Sequence, residues 1–345
     1  MVIVNTGIVF EDQELQNLQI MTPLPLKKKT FPDTPRKKVI VIAGQTAVGK
    51  TDVSLLVAQA LGGEIISADS VQVYRGLDIG TAKVSHEDRK RIPHHLIDIR
   101  HLNESFNVMD FYREATECLK EIFARGHVPI IVGGTGFYLH ALLYGPPAGP
   151  SSIPEVRSKL ENEMEQLGAL ELYKRLSVLD PDYAVTITQR DRHKIIRALE
   201  IISITNQKVS TFNTPTSDRE NVLDFRCWFL WMPKEILYPR IEKRCEDMIR
   251  LGFIEEVRNL EKQGLRENSS ASQSIGYRQC LDFLSSHQTD KDFEHFMTVF
   301  KQASRHYAKR QQTWFRKEPL FRWLNVTETT LETAIEMILQ DYERQ

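Results

Sequence analysis

Several classes of protein are ruled out by what this sequence lacks. No apolar run approaches the roughly 18 residues that a membrane-spanning helix needs, so no membrane partner is expected. The first residues carry no basic flank ahead of their short apolar stretch, which argues against a secretory leader. Cysteine is scarce. Cys118, Cys227, Cys245 and Cys280 lie far apart with no CxxC pair, so neither a zinc cluster nor a disulfide framework is expected, and a reducing cytoplasm fits. Net charge is nearly absent: 45 Lys and Arg stand against 46 Asp and Glu, for a formal charge of −1. Nothing therefore draws the whole chain toward nucleic acid, and an RNA surface would have to come from local basic clusters. Internal repeats are missing as well.

What remains is a chain of 345 residues, 41% hydrophobic, long enough for two domains or for one domain with an insertion. Residues 1–36 end in PLPLKKKTFPDTPRKK, without a hydrophobic period, and are read as an extension without order. From Val39 the pattern is regular. VIVIAG (39–44) is an unbroken apolar run, as expected of a strand buried on both faces. Val53, Leu56, Val57, Ala60 and Leu61 then define a helical face that ends at Gly62. EIISAD (64–69) reads as a strand, residues 107–125 as a helix with Phe111, Ala115, Leu119 and Ile122 on one face, and VPIIVGG (128–134) as a third strand. This alternation predicts an α/β fold, a parallel sheet flanked by helices.

Beyond YGPPAGPSSIP (144–154) only helical periods occur, for example Val156, Leu160, Met164 and Leu167. FRCWFLWM (225–232) then reads as a strand returning to the sheet, followed by helices over 233–251, 253–263 and 290–316. The expected organisation is a core of residues 37–145 and 221–345, interrupted by an all-helical insertion over 146–220.

GQTAVGKT (44–51) matches GxxxxGK[ST] between a buried strand and a helix, the context that gives the pattern meaning. Gly44 and Gly49 are expected to let the backbone curl so that amides of Gln45, Thr46, Ala47 and Val48 point at one anion. Lys50 adds a full charge, and the Thr51 hydroxyl can hold Mg²⁺. The sheet is therefore of the P-loop type, and the site is expected to bind a diphosphate. The strand VPIIVGG ends in Gly-Gly-Thr rather than an acid, and an NKxD motif is absent. Both gaps weaken an ATPase or GTPase reading.

Asp69 ends the second strand, nineteen residues after Lys50. Strand ends in a parallel sheet share a crevice, so Asp69 is expected to face the phosphate loop as metal ligand or as a base for a hydroxyl or an amine. Ser70, Gln72 and Tyr74 after it alternate with apolar residues and supply amide and hydroxyl groups able to read the edge of a planar base.

Together these stretches resemble the bacterial tRNA dimethylallyltransferases, also called tRNA isopentenyltransferases. The likeness runs in order through GQTAVGKT (44–51), ISADSVQVYRGLDIGTAK (66–83), PHHLID (93–98), VGGTGFYLHALLYG (132–145), RHKIIRALE (192–200), RIEKRCEDMIRLGFIEEV (240–257), SIGYRQ (274–279) and KRQQTWFRK (309–317). It implies transfer of the dimethylallyl group of dimethylallyl diphosphate to N6 of the adenosine 3′-adjacent to the anticodon. Asp69 is then the base, with Thr46, Lys50 and Arg244 acting on the departing diphosphate and Arg240 in support. The resemblance also assigns tRNA contacts. Asp69, Ser70, Val71, Gln72 and Thr135 surround a flipped adenine. Arg157, His193, Lys194, Ile195, Ile196 and Arg197 contact RNA in the insertion, and Gln273, Ser274, Ile275, Gly276, Tyr277 and Arg278 do so in the core. A monomer acting on the anticodon stem-loop, with Mg²⁺, is implied.

Local charge agrees. Arg305, Lys309 and Arg316 share one face of the helix over 290–316, with Phe296, Phe300, Tyr307 and Trp314 opposite, expected to be core. Arg190, Arg192, Lys194 and Arg197 form a second cluster. His94 and His95 are read as packing or hydrogen-bonding residues. Gln45, Val48 and Lys194 depart from the family's usual residues. Two rival readings stay open on these residues, a P-loop small-molecule kinase and an adenylate prenyltransferase.

Overall fold

The central strand is the one the unbroken apolar run predicts. In a computed structural model that describes residues 36–147, 149–212 and 223–344, β1 (Lys37–Gly44) is paired on both edges and its last six residues are buried. The extension over 1–36 lies outside the described residues except for Arg36, as do residues 213–220 of the expected insertion and 221–222 of the expected core.

After β1 come α1 (Lys50–Leu61), β2 (Gly63–Ala68), α2 (His86–Arg91), β3 (His94–His95), α3 (Val108–Ala124), β4 (Val128–Gly133) and α4 (Gly136–Tyr144). The insertion carries α5 (Pro154–Leu167), α6 (Ala169–Leu179), α7 (Pro181–Ala184) and α8 (Arg192–Thr205). The chain then returns through β5 (Leu223–Trp231), α9 (Lys234–Arg250), α10 (Phe253–Glu261), α11 (Ser269–Ser272), α12 (Tyr277–Leu284), α13 (Asp290–Phe315), β6 (Arg322–Asn325) and α14 (Leu331–Glu343).

Among the described residues the strands form one six-stranded parallel sheet in the order β3-β2-β4-β1-β5-β6. Helices cover both faces, which explains why β1, β2 and β4 read as continuous apolar runs instead of alternating ones. The carboxyl ends of all the strands open on one side, where ligands of open α/β sheets bind. No described helix is long and apolar enough to cross a membrane.

The helix α3 follows its sequence pattern closely. Asn107 caps it, accepting from the Met109 and Asp110 amides at 2.8 and 3.3 Å, while Asp110 accepts from the Asn107 amide at 3.2 Å. Phe111, Ala115, Leu119 and Ile122 are its buried residues. Residues of the insertion form a separate apolar cluster, in which Leu160, Met164, Leu172, Leu176 and Leu199 are buried.

Four residues expected in the core are exposed instead, and one of them is Ala60 of α1. Leu56 is exposed, because α1 packs between the sheet and α14 and so buries Val53, Ser54, Val57 and Ala58 instead. Leu167 is exposed where Gly168, at φ 81°, turns the chain out of α5. Trp314 is exposed because the buried face of α13 continues from Phe296 and Phe300 through Ser304, Ala308 and Gln311 to Phe315, and the small and polar residues in the middle are ones that no hydrophobic pattern selects. Helix α4 escapes the pattern for a different reason. GFYLHALLY is apolar all round and buries Tyr138, Leu139, Ala141, Leu142 and Leu143, so it shows no period.

Candidate active site

The loop over 44–51 enters α1 through Gly49, which caps the helix in the left-handed region at φ 100°. Ala47 is left-handed too, at φ 64°. Alternating hand along a short loop turns successive amides to the same side and makes an anion-binding concavity. Gly44 has a different task from the one expected. Its φ is not positive, and a Cβ there would stand 2.6 Å from the Leu230 carbonyl oxygen of β5, so glycine permits close strand packing. Gln45 is also corrected. Its buried side chain accepts from the Met232 amide at 3.2 Å, and its own amide donates to the Leu230 carbonyl at 3.4 Å, so neither is free to bind an anion.

Three cations converge on this concavity. Lys50 donates to the Gly44 and Gln45 carbonyls at 3.0 and 2.7 Å. Burial, and then the Arg244 charge, bring its pKa down to about 7, while Asp69 pulls the other way. Arg240 donates to the Ala47 carbonyl at 3.2 Å. Arg244 has no hydrogen-bond partner among the described residues, and burial lowers its pKa below the usual guanidinium range. A desolvated cation without a partner is costly, and a bound anion relieves that cost.

Asp69 stands just past β2. Its Oδ1 accepts from the Val71 and Gln72 amides at 2.8 and 3.2 Å, an Asx turn that fixes the carboxylate. Oδ2 has no hydrogen bond among the described residues. The route by which Asp69 meets the loop differs from the simplest expectation, because β4 lies between β1 and β2 in the sheet. Gly133 and Gly134, at the end of β4, line the gap without side chains. Their bareness is what lets the carboxylate and the loop share one space.

That space has two adjoining chambers. The first, about 320 Å³, is lined by residues 46–51 of the loop with Gln72, Arg240 and the two glycines; the second, about 450 Å³, by Ser70, Val71, Gln273, Ser274, Ile275 and Arg310. Thr46, Ala47, Asp69, Thr81, Arg244 and Tyr307 wall both. Asp69 is thus at the junction of a cation-lined chamber and a chamber that mixes serines and Gln273 with apolar residues such as Val71, Ile241, Met248 and Phe300.

Sequence reasoning missed two residues here. Gln311 is buried. Its Oε1 accepts from the Thr46 amide at 2.8 Å and its Nε2 donates to the Gly134 carbonyl at 3.1 Å. Tyr307 hydrogen-bonds with Gln311 and Thr135, and burial together with Asp69 raises its phenol above the usual range. The only available signal was the KRQQTWFRK block, which contains Gln311 but does not say what it holds. His94 lines the first chamber, with Nδ1 2.7 Å from the Ile92 carbonyl, and burial lowers its pKa. His95 does hydrogen-bond, to Glu64 at 2.6 Å.

The other predicted contacts are scattered. Thr135 lines neither chamber and instead accepts from the Ser70 amide at 3.2 Å. Tyr277 is fully buried with its phenol donated to Glu256 at 2.7 Å, so it backs the second chamber and offers RNA no hydroxyl. Gly276 is buried at φ 90° and Arg278 is exposed. Arg157 pairs with Glu161 at 2.9 Å, and Arg197 with buried Glu200 at 2.7 Å. Ile195 and Ile196 are corrected as side-chain contacts, because both are core residues of the insertion. His193 and Lys194 are exposed on the same helix. Arg305 of the basic stripe is engaged by Glu242, whereas Lys309 and Arg316 remain exposed.

Among the described residues no group of three His, Cys, Asp or Glu side chains could cage a metal ion. The Thr51 hydroxyl, exposed on the chamber wall, suits a hard cation that keeps most of its ligands from phosphate oxygens and water.

Comparison with known proteins agrees with this geometry. Residues 72–318 match the family model described as IPP transferase. The chain is 56% identical over 336 residues to a tRNA dimethylallyltransferase of Protochlamydia amoebophila, across 96% of this chain and 97% of that protein. It is similar in structure to the tRNA isopentenylpyrophosphate transferase of Bacillus halodurans, with TM-score 0.64 and 37% identity, over 90% of this chain and 97% of the other. It is also similar to a eukaryotic dimethylallyltransferase acting on tRNA, with TM-score 0.71 and 29% identity, over 87% and 78% of the two chains.

Proposed function

The chain belongs to the tRNA dimethylallyltransferase (IPP transferase) family, and from that premise we propose that it moves the dimethylallyl group of dimethylallyl diphosphate to N6 of the adenosine 3′-adjacent to the anticodon in tRNA. The observation that carries the reading is the open oxygen of Asp69 at the junction between the chamber of Lys50, Arg240 and Arg244 and the chamber of Ser70, Gln273 and Ser274.

The chemistry divides along that junction. The N6 lone pair is delocalised into the purine, so the amine is a weak nucleophile. As N6 bonds to the allylic carbon, the carbon–oxygen bond breaks with its electron pair leaving on diphosphate, and Asp69 takes the N6 proton. Such a base contributes about 10²–10⁴-fold. Lys50, Arg244, Arg240 and the loop amides face the charge that grows on the leaving group, which lowers the barrier more than it tightens ground-state binding. The Thr46 amide is donated to Gln311, which leaves the Thr46 hydroxyl to face the leaving group. A Mg²⁺ on the Thr51 hydroxyl would neutralise charge on the diphosphate. An adenine in a stacked loop must be flipped out to reach Asp69, and the exposed cations Lys194, Lys309 and Arg316 suit the RNA backbone. We take the protein to act as a cytoplasmic monomer.

The test is incubation of the protein with unmodified tRNA, dimethylallyl diphosphate and Mg²⁺, with AMP and with ATP in parallel arms. Mass spectrometry should find adenosine in the tRNA heavier by one C5H8 unit. Product on AMP alone, or phosphoryl transfer from ATP, would overturn the assignment.

A further inference from the structure

Glu256, on α10, lines neither chamber; its bond from the Tyr277 hydroxyl is one of four. Its carboxylate is nevertheless the most heavily engaged group near the second chamber. Oε2 accepts from the Asp78 amide at 3.0 Å and the Ile79 amide at 2.6 Å; Oε1 accepts from the Gly80 amide at 3.2 Å and the Tyr277 hydroxyl at 2.7 Å. Three consecutive amides pointing at one anion form the same kind of concavity that binds phosphate. Here the anion is the protein's own.

Its four bonds join two walls that are distant in sequence. Gly80 and Thr81 form part of one wall of the second chamber, and Ser274, Ile275 and Tyr277 part of the other. The first wall leads directly to the base. The Thr81 carbonyl accepts from Gln72 Nε2 at 3.2 Å, Gln72 Oε1 accepts from Ser67 at 3.0 Å, and the Gln72 amide donates to Asp69 at 3.2 Å. The fit is close as well: a Cβ on Gly80 would lie 2.3 Å from the Phe253 ring and 2.6 Å from the Tyr277 ring.

We infer that Glu256 is a positioning residue for the acceptor nucleobase, fixing the Gly80–Thr81 and Ser274–Tyr277 walls so that Gln72 and Asp69 are set before RNA arrives. The inference rests on the reading of the second chamber as the adenosine site. Thr81, Gln72 and Asp69 also line the donor chamber, but among the described residues Lys50, Arg240, Arg244 and the phosphate loop share no hydrogen bond with this network, so donor binding should depend on Glu256 much less than RNA binding does.

Glu256→Gln is a sharp probe, since an amide keeps one acceptor oxygen where the four donors need two. The Gln amide can turn its nitrogen toward Tyr277, whose hydroxyl rotates to accept, so the bond from the Gly80 amide is the one lost. Steady-state kinetics on the full-length protein with an anticodon stem-loop RNA should show the RNA KM up by roughly tenfold, the size of one charge-assisted hydrogen bond. The KM for dimethylallyl diphosphate should stay within about twofold of the wild-type value. Tyr277→Phe keeps the three amide bonds and should raise the RNA KM by a smaller factor, also without effect on the donor. If Glu256→Gln does not fold, the Tyr277→Phe variant decides alone by the same split. An unchanged RNA KM, or equal changes for both substrates, would overturn the inference. Wild-type protein that fails to prenylate the RNA would instead overturn the functional reading itself.

Discussion

The strand β2 begins and ends beside a carboxylate, and the two have opposite surroundings. Glu64, at its start, is buried and fully partnered. Arg125 donates to its two oxygens at 2.8 Å each, and the rings of His127 and His95 lie at 2.7 and 2.6 Å. The Arg125 hydrogen bonds, followed by those of the histidines, bring its pKa to about 2 against the cost of burial. Asp69, just past the strand's end, has one oxygen in a turn and the other open to a chamber. A carboxylate whose lone pairs are all occupied can only hold the fold together. One that is oriented through a single oxygen keeps the other for a proton.

The strongest way to break this contrast is Asp69→Ala, which should lower kcat about 10²–10⁴-fold with little change in melting temperature. A large loss of stability in that variant would make Asp69 structural. The reciprocal change, Glu64→Gln, should destabilise the fold by about 3 kcal/mol, as expected when one member of a buried ion network is removed, while kcat per folded molecule stays near wild type. Its pH dependence has a defined sign. A carboxylate whose pKa is lowered on folding stabilises above its unfolded value of about 4.3, and that contribution disappears as pH falls through about 2. The gap between wild type and Glu64→Gln in denaturant titrations should therefore close in acid.

A smaller effect concerns Lys50. With a pKa near 7 in the free protein, its charged form is lost above neutrality, so kcat/KM for the diphosphate should fall about tenfold per pH unit there. Lys50→Arg, whose guanidinium keeps its proton, should lose that limb even at a lower overall rate. The smallest effect is expected for Gln45→Leu, about 1 kcal/mol of stability for its lost hydrogen bond and an unchanged KM for the donor. A raised donor KM would return Gln45 to the binding site.

The same contrast explains what could be read in advance. The phosphate loop was legible because eight contiguous residues form it, and much of its binding comes from backbone amides whose directions follow from glycine and a helix start. The apolar runs made the buried parallel strands legible for a related reason, since their burial on both faces leaves a local mark. Asp69 was legible as a strand-end acid, although its access depends on bare Gly133 and Gly134 in a strand that intervenes. Gln311, Tyr307 and Glu256 left no such mark. Each is a polar residue on a helix whose partner lies far away in the chain, as Gln311 does from Thr46 at a separation of 265 residues. Where hydrophobic pattern was followed beyond its physical basis it failed, as at Trp314.

The place of β5 has a consequence for biosynthesis. Strands β1 to β4 and their helices are complete by residue 144, yet β1 at that stage has one bare edge, because β5 begins only at Leu223. A ribosome must add the whole insertion before the Leu230 carbonyl can close over Gly44 beneath the phosphate loop. During that interval the nascent chain exposes an apolar parallel edge, a surface prone to wrong pairing. Synthesis speed through the insertion thus sets how long that edge of β1 stays unpaired.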